Sequence, residues 1–192
     1  MGAEVDCTVP NPIEELMDDH RLIERVLEAF EKRVVSGEGG ELPLGFVKEA
    51  LEFFAEFADS HHHFKEESAL FPAMERRGVP REGGPIGMML HEHEIGRAAL
   101  RGIRENLPKA GEGSAEAVEA IRRHAGEYVN LLRNHIWKED NVLFRMAEAH
   151  LSPEDIQELE AEFHDPDNKR VQPEIREKYE AFVRRLNGPP VG

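Results

Sequence analysis

The chain has 192 residues, enough to bury one sizeable core, and sets 24 Lys and Arg against 39 Asp and Glu for a formal net charge of −15. That balance argues against nucleic acid or an anionic membrane surface as a partner, since both require a basic face. The single cysteine, Cys7, excludes an intrachain disulfide, and no apolar run is long enough to span a bilayer.

Taken in chain order, almost everything reads as helix. Met1 to Asp6 holds no basic stretch followed by an apolar run, and Asp6 stands where a myristoylation signal needs Ser or Thr, so a cytoplasmic protein is expected. Asn11-Pro12 followed by Glu14 and Glu15 supplies a capping side chain, a first-turn proline and acids for the positive end of a helix dipole. Ile13, Leu16, Leu22, Ile23, Val26, Leu27 and Phe30 then keep a helical period until Ser36 to Gly40 ends it. A second long helix is predicted over 43–77, with Phe46, Val47, Leu51, Phe54, Phe57 and Ala58 inward, followed by a Gly- and Pro-rich loop. A third is expected over 85–107, closed by Pro108-Lys109-Ala110-Gly111, and a fourth over 114–150. Ser152-Pro153-Glu154-Asp155 opens a fifth, Asp165 to Asn168 breaks it, and a last helix covers 173–186. The expected class is all-α: an antiparallel four-helix bundle over 12–150, with a C-terminal helical extension and tail over 151–192.

Ten histidines stand out in so acidic a chain, three of them consecutive at His61, His62 and His63. A displacement of 73 residues lays the stretch from His61 to Phe71 over that from Asn134 to Phe144 and Asp19-His20 over Glu92-His93. Each copy carries acid-His on its first helix and His-x-x-x-Glu on its second, as two helix pairs around a pseudo-twofold axis would.

Residues four apart on an α-helix differ by about 40° in direction and lie one turn apart. His62 with Glu66, and His135 with Glu139, therefore each present an imidazole and a carboxylate to one point. Adding His20 and His93 gives four nitrogens and two carboxylates, too many and too oxygen-rich for one tetrahedral zinc. The set suits two borderline metals such as iron or manganese, bridged by the carboxylates. His63 and Glu67 share the spacing, but position 63 corresponds to Ile136, so His62 and Glu66 are the assigned pair and His63 is kept as an additional, asymmetric ligand. His61 and His63 are expected about 100° to either side of His62. His91, His124, His150 and His164 are expected at the surface or at element boundaries. Phe64 and Trp137, which share a repeat position, are expected in the core, as are Phe71 and Phe144.

The run from His62 to Glu67, then Leu70-Phe71-Pro72, Gly84-Pro85-Ile86, Glu92-His93, His135 to Glu139 and Leu143-Phe144, resembles the hemerythrin-like (HHE) cation-binding domain over roughly residues 12–150. The resemblance implies a di-iron bundle; bacterial members include proposed oxygen or nitric oxide binders and proteins implicated in repairing damaged iron–sulfur clusters. Oxygen carriers of the family place a further histidine one turn before the third-helix ligand, where this chain has Met89. They also end on Asp five residues after the last histidine, where this chain has Glu139 at four and Asp140 at five. The pattern is closer to members with four core histidines and two glutamates. The expected cofactor is two iron ions, bridged by carboxylate and by oxo or hydroxo, ahead of manganese or zinc. The expected partners are a small diatomic ligand (O₂ or NO) or peroxide, together with a redox partner. The alternatives are a di-iron redox enzyme, an iron-donating repair protein or metal storage. A ferritin-like carboxylate-rich site is disfavoured, because no histidine follows a Glu by three residues.

Overall fold

The computed structural model describes residues 11–37 and 40–186; Cys7, the N-terminal expectations and the tail after Leu186 lie outside them. The first helix starts where its cap dictates. Asn11 Oδ1 accepts from the Ile13 N–H at 2.9 Å, with Pro12 in the first turn. This helix, α1, runs as α-helix over Pro12–Phe30 and closes in a wider π turn over Glu31–Val35. The next, α2, spans residues 44–76 and contains two π segments, Phe54–His63 and Glu66–Leu70. Then come α3 (Pro85–Gly111), α4 (residues 115–150, with a π turn over Glu139–Leu143), α5 (Pro153–Phe163) and α6 (Pro173–Leu186). Among the described residues there is no strand, and no helix is long and apolar enough to cross a membrane.

Two glycines set where helices stop. At Gly78 (φ +90°) the Val79 N–H reaches back to the Met74 carbonyl at 3.1 Å. At Gly113 (φ +90°) the Ser114 N–H reaches the Lys109 carbonyl at 3.0 Å. Both are six-residue C-terminal closures that need a left-handed residue, which glycine adopts without strain. One boundary expectation is corrected: α3 does not close at Pro108 but runs through it to Gly111. A proline so near a helix end forfeits one bond, whereas the left-handed Gly113 reverses the chain.

The bundle buries two apolar clusters. One gathers Ile23, Leu27, Phe30, Phe54, Ile103, Ile121 and Tyr128, among others, and reaches Phe182 of α6. The other gathers Leu16, Leu70, Phe71, Met89, Phe144 and Phe163 of α5. Where one cluster gives way to the other on each of the four long helices lie the buried polar residues His20; His62 and Glu66; His93; and His135 and Glu139. A polar layer thus crosses the middle of an otherwise apolar bundle. Phe54 anchors the first cluster, fully buried and 5.3 Å from Phe30 and 4.8 Å from Tyr128 between ring centroids. Phe54→Ala is expected to cost about 3–5 kcal/mol in urea unfolding; a cost below about 1 kcal/mol would contradict this packing.

Phe71 and Phe144 are buried as expected, but Trp137 is 61% exposed and Phe64 is only half-buried. Both follow an inward histidine by two residues, about 200° around the helix, so their shared repeat position faces outward. The α6 helix covers the bundle with Tyr179 and Phe182, whose rings lie 5.1 and 6.0 Å from Phe53.

Candidate metal centre

Glu66 Oε1 lies 3.8 Å from His62 Nε2, and its Oε2 lies 3.5 Å from His93 Nε2. Glu139 Oε2 lies 3.2 Å from His20 Nε2, and its Oε1 lies 3.1 Å from His135 Nε2. Each carboxylate therefore turns one oxygen to each of two histidine groups. The first group is His20, His62, Glu66 and Glu139; the second is His63, Glu66, His93 and His135. Within each, the donor atoms lie within 4.8 Å of one another. That spread is close to the roughly 4.2 Å diameter of a ligand shell with bonds of about 2.1 Å. All seven side chains predicted from the sequence are brought together, and all are buried. His63 joins the second group because the 100° turn that takes it away from His62 directs it towards α3, where its ring stacks on His93 at 3.8 Å.

Seven buried atoms of this layer have no hydrogen-bond partner: His20 Nε2, both ring nitrogens of His62, and both oxygens each of Glu66 and Glu139. Leaving one buried carboxylate without hydrogen bonds costs several kcal/mol, and here there are two face to face. The donor set, imidazole nitrogen plus carboxylate oxygen, fits a pair of first-row divalent ions that would satisfy six of these atoms at once, while His62 Nδ1 faces Asp19 instead.

The protonation pattern reports the same crowding. Burial, then the facing charge of Glu139, pushes the Glu66 carboxyl well above the usual carboxylate range. Burial works on Glu139 in the same direction, but His135 and His20 outweigh it and hold this carboxyl well down. His62 is pushed down to about 4 by burial and by the neighbouring His20. His135 is lifted to about 9, because Glu139 and Glu92 overcome its burial.

Behind the histidines stands a second row of acids that sequence reasoning missed. His20 Nδ1 meets Asp140 at 2.7 Å, His93 Nδ1 meets Glu67 at 2.7 Å, and His135 Nδ1 meets Glu92 at 2.9 Å. His62 Nδ1 faces Asp19 at 3.5 Å, and His63 Nδ1 faces Asp59 at 3.4 Å. An acid on Nδ1 leaves Nε2 as the inward donor and makes the imidazole a better ligand. Each acid is in turn paired with a cation: Asp140 with Arg21, Glu92 with Lys138, Glu67 and Asp59 with Arg97, and Asp19 with Lys65. Most of this row obeys the 73-residue offset, since Asp19, Lys65 and Glu67 correspond to Glu92, Lys138 and Asp140. The signal was present in the repeat, but which histidine each acid serves was not. Asp19 adjoins His20 in sequence and supports His62.

A small cavity of about 10 Å³ borders the second group, lined by His63, His93, His135, Leu100, Tyr128 and Leu132 among others. That is about the least volume that holds one water. The remaining histidines stay out of the layer. His91, His150 and His164 are exposed and His124 is half-buried. His61 is buried, but its Nδ1 bonds the Arg170 carbonyl at 2.7 Å.

The family model of the hemerythrin HHE cation binding domain matches residues 11–147, which takes in the whole of this layer. The chain belongs to the hemerythrin family. Within that family it is similar to the iron-sulfur cluster repair protein YtfE of Yersinia pestis (strain Pestoides F), at 32% identity over 135 residues. It is 31% identical, over the same length, to the protein of that name from Yersinia pseudotuberculosis serotype O:1b. The match covers 68% of this chain and 60% of each relative, so the chain spans only part of the length of these relatives. The hemerythrin-family match accounts for the all-α bundle and for a cation-binding layer built from histidine and carboxylate.

Proposed function

We propose that this hemerythrin-family chain is a cytoplasmic non-haem di-iron protein that binds a small diatomic molecule, O₂ or NO, in sensing, storage or stress response. Residues 12–150 form the metal-holding unit, and 151–192 form an extension to it. His20 and His62 would hold one iron, His63, His93 and His135 would hold the other, and Glu66 and Glu139 would be shared between them. The observation that carries this reading is the set of six unpartnered buried atoms that face the layer, His20 Nε2, His62 Nε2 and the four oxygens of Glu66 and Glu139, with each carboxylate turned to histidines of both groups. A reduced iron pair held there would supply the binding and electron-transfer chemistry for a diatomic molecule or peroxide. The chain's own residues do the rest. The row of acids fixes the ring orientations, and the small cavity beside His63, His93 and His135 limits entry to small molecules.

A second reading, an iron-donating or redox role in iron–sulfur cluster repair, is favoured by the names of the similar Yersinia proteins. The two separate in one experiment, the optical spectrum of anaerobically reduced, iron-loaded protein as O₂ is admitted and then removed. Diatomic binding predicts a charge-transfer band that appears and reverses. A prompt, irreversible ferric spectrum would move the weight to redox or repair chemistry. Confirmed iron loading with no iron-dependent spectrum would sink the di-iron reading.

A further inference from the structure

The repeat makes the two halves of the layer nearly equivalent, so the places where equivalence fails are informative. In the second half, Glu92 supports His135 and is paired with Lys138. In the first half, the corresponding Asp19 is paired with the corresponding Lys65, its Oδ2 lying 3.1 Å from Nζ and 3.5 Å from His62 Nδ1. Asp19 has a second cation as well. Its Oδ1 accepts from Arg176 Nη1 at 2.6 Å, and Arg176 belongs to α6, beyond the part of the chain that the family model matches. Asp19 is fully buried, whereas the Glu92 side chain retains 11% exposure and can share water.

The need for a second cation follows from this burial. A solvated carboxylate satisfies its outer oxygen with water; a buried one must find a donor in the protein or leave lone pairs empty. Lys65, His61 and His62 all approach Oδ2, so without Arg176 the other oxygen has no donor among the contacts described, and the carboxylate is held through one oxygen only.

We propose that Arg176 is a positioning residue for the two-histidine iron: it pins Asp19, which orients His62, so α6 controls that metal position separately from the three-histidine one. This rests on the di-iron reading above. Loss of such a supporting contact typically costs about 10- to 100-fold in metal affinity, and here the loss should fall on one iron of the two.

The test is anaerobic titration of the full chain with ⁵⁷Fe²⁺, reading equivalents bound and the Mössbauer spectrum. The wild type should take up two equivalents. Arg176→Gln should bind one equivalent as tightly as the wild type and the second about 10- to 100-fold more weakly. The iron it retains should give the spectrum of the iron retained by His20→Ala, which removes a ligand from the same position. Arg176→Lys should recover much of the loss. Tyr179→Phe breaks a different anchor of α6, the 2.6 Å hydrogen bond from Tyr179 Oη to Glu56, and should behave as wild type. Two wild-type equivalents in Arg176→Gln, equal weakening of both, or the same loss in Tyr179→Phe would overturn the proposal. Fewer than two equivalents in the wild type would overturn the di-iron reading itself, and the proposal with it.

Discussion

Glu66→Ala is expected to cost the protein both irons, whereas His20→Ala costs only one. Glu66 places one oxygen 3.8 Å from His62 Nε2 and the other 3.5 Å from His93 Nε2, so its removal takes a ligand from each group. His20 belongs to the first group alone, beside Glu139, His62 and its own supporting acid, Asp140. Loss of a supporting residue already weakens metal binding by about 10- to 100-fold, so loss of a bridging ligand should do at least as much at both positions. Glu139→Ala should resemble Glu66→Ala, since its oxygens lie 3.2 and 3.1 Å from His20 and His135. The measurement is iron per chain after loading and desalting. Full occupancy in both glutamate variants would remove these residues from the centre.

Chelation should produce the largest stability change of any solution condition. Without cations, Glu66 and Glu139 are two carboxylates buried against each other with no hydrogen-bond partner for any of their four oxygens. An ion that binds only the folded chain adds about 2.7 kcal/mol per site at a free concentration of one hundred times Kd. For a chain of this size each kcal/mol moves the melting temperature by about 2–4 °C, so each filled site should add about 5–10 °C. Calorimetric scans of iron-loaded protein with and without chelator read this directly. Glu66→Ala should melt at one temperature in both, and an unchanged wild-type melting temperature would argue that the layer holds no ion of consequence to the fold.

The parts of this molecule that lie within one helix or repeat were legible in the sequence. Asn11-Pro12 and Ser152-Pro153 mark helix starts, and both caps form because they involve neighbours two or three residues apart. His62 with Glu66 and His135 with Glu139 converge because a helix stacks residues four apart, and the 73-residue repeat told these pairs from chance. The fate of Trp137 was already written in its position two residues after His135. Its aromatic character suggested the core, but the helical period turns it outward to 61% exposure.

What only the tertiary structure decided is which distant groups meet. His63 has no repeat partner, and its place beside His93 depends on how α2 lies against α3. The acids Glu67, Asp140, Asp19 and Glu92 occupy matched repeat positions, yet each serves a histidine on another helix. Arg176 reaches Asp19 across 157 residues from a helix outside the repeat. Backbone geometry determines neighbours within a turn, so a sequence states them outright. Contacts between helices follow from how the apolar faces of all of them pack at once, and no local pattern encodes that sum.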